Sequence, residues 1–112
     1  MGVFDFKQAM AELGYNTLTT FWDDFSIADR FGVDAIKDTY KRAFEEWKGN
    51  YKYLTELVMV LNRKIWYWYK RDRKIAQCYN DLWMECDEYA YNNLKGEEFD
   101  YFVKTLDWVF IY

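Results

Sequence analysis

A chain of 112 residues with no proline and only five glycines, at positions 2, 14, 32, 49 and 96, holds almost nothing that stops a helix. Proline removes a backbone donor and glycine raises the cost of a helix interior, so their scarcity leaves long stretches free to propagate. Within those stretches apolar residues recur at spacings of three and four, the period of one helical face. The expectation is an all-α fold, a compact bundle of four to five helices. At this length the chain is expected to form one domain over residues 1–112 and to bury about two thirds of its surface. Aromatic residues make up 23% of it, including six Trp and eleven Tyr, a content that opposes disorder.

Capping residues and glycines set the expected boundaries. Val3 to Leu13 carries Phe6, Met10 and Leu13 on one side and meets Gly14. Thr20 is positioned to cap a second helix, with Asp23 as the acidic member of a capping box, and that helix runs to Phe31 before Gly32. Asp34 caps a third, with Ile36, Tyr40, Ala43, Phe44 and Trp47 inward, ending near Gly49. Asn50 opens the longest, Tyr51 to Arg71, along which Leu54, Leu57, Val58, Leu61, Ile65 and Trp68 form a stripe. Asp72 caps another, with Ile75, Tyr79, Leu82, Trp83, Cys86, Tyr89 or Ala90, and Leu94 inward, and Gly96 ends it. A single rod from Tyr51 to Leu94 is the alternative, since neither glycine nor proline intervenes. Glu97 to Asp107 starts with acids suited to a helix N-terminus, and Trp108 to Tyr112 either continues that helix or lies extended.

Several chemistries are excluded by what the chain lacks. Without histidine there is no Ser-His-Asp or Cys-His catalysis, and the Glu-x-x-His pairs of a di-iron bundle cannot be written. Two cysteines alone do not make a structural zinc site. Cys78 and Cys86, eight apart on one helix, stand about 12 Å from each other, too far for a disulfide. They read as small buried side chains of a reducing compartment. Isolated glycines build no phosphate loop. Paired acids such as Asp23 and Asp24, or Glu97 and Glu98, diverge by about 100° on a helix and read as solvated charges. The expectation is no catalytic, cofactor-binding or metal-binding residue and no enzyme. Asp5, Lys7 and Glu12 interrupt any secretory leader, and Glu56, Arg63 and Lys64 interrupt the most apolar region, so a cytoplasmic protein without membrane contact is expected.

Two segments stand out. Phe25 to Val33 resembles the first helix and turn of a DNA-binding helix-turn-helix, but Asp38 and Lys41 occupy positions where the second helix needs apolar residues. An ordinary helical corner is the better reading. The other segment is Arg63, Lys64, Ile65, Trp66, Tyr67, Trp68, Tyr69, Lys70, Arg71, Asp72, Arg73, Lys74, with six bases against one acid in a chain of net charge −4. Residues 1–62 hold ten acids against seven bases, and residues 75–112 eight against two. A basic spot on an acidic body suits a charged protein partner, while basic residues interleaved with aromatics also suit nucleic acid. The plainer reading is that these cations line a helix C-terminus and pair with acids on neighbouring helices. Trp66, Tyr67, Trp68 and Tyr69 together span about 300° of a helix, so they cannot share one core. A further helix, a second subunit or a partner must meet the remainder.

Thr19-Thr20-Phe21-Trp22, the Asp29 to Gly32 turn, Asp38-Thr39-Tyr40 with Arg42-Ala43-Phe44, the run from Asn50 to Asn62, and Asn93 to Glu98 resemble short uncharacterised proteins encoded on conjugative and phage-like mobile elements of bacteria. The resemblance covers most of the chain and implies genomic context, with no activity and no site residue. The reading is a non-enzymatic accessory protein of such an element. Its candidate partner surface is Arg63, Lys64, Trp66, Tyr67, Trp68, Tyr69, Lys70, Arg71, Arg73 and Lys74. The partner is a protein, with a second copy of the chain as one option, and nucleic acid bound by the same segment is the alternative.

Overall fold

The computed structural model describes residues 17–110, with side chains from 21 to 106. Among the described residues five helices follow one another: α1 (Thr17–Asp29), α2 (Val33–Trp47), α3 (Tyr51–Trp68), α4 (Arg73–Asn93) and α5 (Glu97–Phe110). Among the described residues there is no strand, and the all-α expectation holds. The expected helix from Val3 to Leu13 lies outside the described residues.

α3 is the axis around which the other helices pack, since α1, α2, α4 and α5 all contact it. The consequence is visible along its sequence. From Leu54 to Leu61 eight consecutive residues are buried, Thr55 and Glu56 among them. A helix covered on every side is apolar nearly all round, where one lying on a surface needs only a stripe. Thr55 answers its burial by donating its hydroxyl to the Tyr51 carbonyl at 2.7 Å. The surrounding helices turn their apolar faces toward this axis: Phe21, Phe25 and Ala28 from α1, Ile36 and Tyr40 from α2, Tyr79, Leu82, Cys86 and Ala90 from α4, Phe102 and Leu106 from α5. The radius of gyration, 13.7 Å, is close to the roughly 13 Å expected for a globule of this length.

Two caps divide the long middle of the chain as expected. Asn50 Oδ1 accepts from the Lys52 and Tyr53 amides at 3.1 and 3.3 Å, and Asp72 Oδ1 from those of Lys74 and Ile75 at 3.0 and 3.2 Å. Between them α3 ends at Trp68, whose carbonyl receives the amides of Arg71 and Asp72 at 2.9 Å. The chain then reverses and α4 packs against α3, so residues 51–94 form two helices and not a rod.

Other boundaries move. α1 is already helical at Thr17, so Thr20 lies inside it and does not cap it. It ends at Asp29, two residues before Phe31. The N-cap position of α2 belongs to Gly32, with Asp34 in the first turn, where a carboxylate faces the positive end of the helix dipole. Gly32 has φ 104° and ψ −171°, a conformation open essentially to glycine alone, and Gly96 sits in the left-handed region at φ 61°. α5 continues through Phe110, which answers the ambiguity at Trp108 up to that residue. Cys78 and Cys86 are buried and free, and burial pushes both thiols above their usual range. No helix among the described residues is long and apolar enough to cross a membrane.

Candidate functional site at the α3 to α4 corner

The turn between α3 and α4 gathers most of the basic and aromatic segment at one exposed corner. Arg63, Trp66, Tyr67, Tyr69, Lys70, Arg71, Arg73 and Lys74 are all exposed there, Trp66 by 67%. The side chains are ordered against one another. The Arg71 guanidinium stacks 4.2 Å from the Tyr67 ring centroid and donates to the Tyr67 carbonyl at 2.5 Å. Arg73 lies 4.6 Å from the ring of Tyr69, which itself tilts against Trp66 at 5.8 Å.

The corner's charges have little in the fold to explain them. Among the described residues no carboxylate lies within ion-pair distance of Lys70, Arg71, Arg73 or Lys74, whereas Lys48 pairs with Glu45 and Lys64 with Asp29. A helix C-terminus favours cations, and Arg71 uses that by capping a carbonyl of the last turn of α3. Arg73 and Lys74, however, are the first two residues of α4, where the dipole opposes positive charge. The plainer reading thus accounts for Arg71 at the end of α3 and for Lys64, which pairs with Asp29 of α1, and fails for Arg73 and Lys74.

Two members of the predicted surface point inward. Lys64 is 1% exposed, and Trp68 is half-buried on the same side of α3. Both serve a polar cluster built on Asp29, at the last position of α1. Lys64 Nζ donates to Asp29 Oδ2 at 2.8 Å and to Ser26 Oγ at 2.9 Å, and lies 4.0 Å from the centroid of Trp22. Trp68 Nε1 donates to the same Asp29 oxygen at 3.1 Å, and the Tyr79 hydroxyl donates to the other. Burial, and then the bond to Asp29, holds the Tyr79 phenol above its ordinary range. A carboxylate at a helix C-terminus meets the negative end of the dipole, so these three donors are what keep Asp29 in place.

Ser26 and Lys64 at 2.9 Å have the spacing of a serine nucleophile and a lysine base. Their hydrogen bonds run the wrong way for that chemistry. Lys64 directs its protons at Asp29 and Ser26, and Ser26 gives its own proton to the Trp22 carbonyl at 2.7 Å. The cleft above them, about 340 Å³ and walled by Trp22, Tyr67 and Trp68, has its buried polar atoms already bonded to one another. The cluster ties α1, α3 and α4 together directly behind the corner.

Sequence reasoning missed this cluster, yet both charged partners carried a signal. Asp29 continues the Phe21, Phe25 spacing of four, and Lys64 falls three after Leu61 and four before Trp68. An acid and a base each set on an apolar face point to a buried pair. No family model, curated protein or solved structure matches the chain.

Proposed function

We propose that this protein is a non-catalytic cytoplasmic accessory factor that works by docking an acidic surface of a partner protein on the α3 to α4 corner. The observation that carries the reading is the four exposed cations Lys70, Arg71, Arg73 and Lys74, which have no carboxylate within ion-pair distance among the described residues, two of them held against a helix dipole, beside an exposed Trp66. Arg and Trp are the residues that dominate protein interfaces, and cations left unpaired in the free protein gain most from an incoming carboxylate. The buried free thiols support a reducing compartment. The resemblance to mobile-element proteins supports an accessory or host-modulating role there.

Protein is favoured over nucleic acid because the whole chain carries −4, and because Arg71 and Arg73 already cover faces of Tyr67 and Tyr69 on which bases would stack. The test is capture from the native host with wild type, Trp66→Ala and Arg71→Glu/Arg73→Glu as baits, next to binding of a single-stranded oligonucleotide at low salt. Retention of one protein should fall about tenfold with either variant, on the scale of an interface anchor. Equal retention by all three baits overturns the reading. Oligonucleotide binding that weakens steeply with salt and is lost in the charge-reversed variant would transfer the corner to nucleic acid. Trp68→Ala is not used, since that side chain holds Asp29.

A further inference from the structure

α1 and α2 enclose an open groove of about 540 Å³ whose lining includes the small residues Ala28, Ala35 and Ala43. Ile27 and Phe31 also line it, 58% and 77% exposed. Such large apolar side chains lining one concave site are more than the scattered exposure usual on a surface. Its rim is acidic: Asp24, Asp38 and Glu46 against the single base Arg42.

We propose that this groove receives the α3 to α4 corner of a second copy of the chain. The inference rests on reading the corner as a surface for acidic proteins, and it names that partner. Each property of the groove has its complement at the corner. The three alanines of the lining leave room for a broad flat ring, and Trp66 is the most exposed ring of the corner. The carboxylates of the rim are within the class that guanidinium groups grip in pairs, and Arg71 and Arg73 lie over Tyr67 and Tyr69 of the same corner. The lining residues of the groove sum to two negative charges, while the exposed residues of 63–74 sum to four positive. Because corner and groove are different patches of one molecule, every copy carries both halves of the contact.

Sedimentation velocity on the full chain decides this. Wild type should associate at low ionic strength, and the association should weaken about tenfold as salt is raised from about 20 to about 500 mM. Arg71→Glu/Arg73→Glu in the corner and Ile27→Glu/Phe31→Glu in the groove change exposed side chains, so their helix content is expected to stay native by circular dichroism. Each should be monomeric alone. Mixed in equal amounts they should form a one-to-one pair, because the first keeps an intact groove and the second an intact corner. A wild type that stays monomeric at about 0.5 mM in low salt overturns the proposal, and so does a mixture no more associated than its parts. Anisotropy with a labelled Glu- and Phe-rich peptide separates the two levels of the argument. A monomer that binds this peptide through Arg71 and Arg73 ends self-docking and keeps the corner as an acidic-protein site; a monomer that ignores it ends both.

Discussion

Asp29 gathers three donors, from Lys64, Trp68 and Tyr79, while Lys64 has a single anion for a partner. The two members of this buried pair are therefore not equivalent. Removing the carboxylate strands a buried ammonium, an indole N–H and a phenol at once, and breaking such a pair costs about 3–5 kcal/mol. Removing the ammonium leaves the carboxylate with two hydrogen bonds. Asp29→Ala should accordingly cost about 3–5 kcal/mol in urea unfolding, and Lys64→Met distinctly less. Equal losses would mean that the ion pair alone matters and that Trp68 and Tyr79 contribute nothing. By charge counted along the segment, Lys64 groups with the surface cations. Its position on the apolar face of α3 is the better guide, since a helix decides exposure by angle and not by neighbourhood. The same angular reasoning did succeed for Trp66 to Tyr69: four rings over about 300° cannot share a face, and in the fold Trp68 turns inward while Trp66, Tyr67 and Tyr69 stay out.

At the level of the helices, the caps of Asn50 and Asp72 and the breaks at Gly32 and Gly96 are legible in the sequence, but the residue that holds the N-cap position of α2 is not. Asn50 and Asp72 each present an oxygen to two orphan amides, a local rule that needs no tertiary knowledge. Asp34 fits the same rule on paper, yet Gly32 holds the N-cap position of α2, because a chain turning sharply out of α1 needs a backbone conformation that only glycine reaches without strain. The two devices predict different mutational costs. Asn50→Ala and Asp72→Ala should each lower stability by about 1 kcal/mol. Gly32→Ala should cost more, about 1–3 kcal/mol, although no atom stands within 4 Å of the added methyl, so the whole penalty is conformational. Gly96, in the left-handed region that asparagine tolerates, should accept Asn with a smaller loss. Chemical denaturation of the four variants ranks them, and a Gly32→Ala protein as stable as wild type would show that the turn can adopt another path.

For the molecule as a whole, the central place of α3 links stability to the corner. The run from Leu54 to Leu61 reaches no solvent on any side, so its amides become accessible only when the surrounding helices come away. α1 and α2, by contrast, flank an open groove and hold fewer buried side chains among those described. Regions rich in buried contacts open at the global free energy and those poor in them open below it. Native-state hydrogen exchange should therefore find the amides of Leu57 to Leu61 protected to the full unfolding free energy measured in denaturant, with those of α2 released at lower cost. This gradient matters for recognition. The corner grows from the end of the most protected helix and is backed by the Asp29 cluster, so its rings and guanidinium groups are held in place before a partner arrives, and little ordering entropy is lost on docking. Were α3 amides to exchange as readily as those of α2, the corner would sit on a mobile support, and the argument for a preformed docking surface would lose its basis.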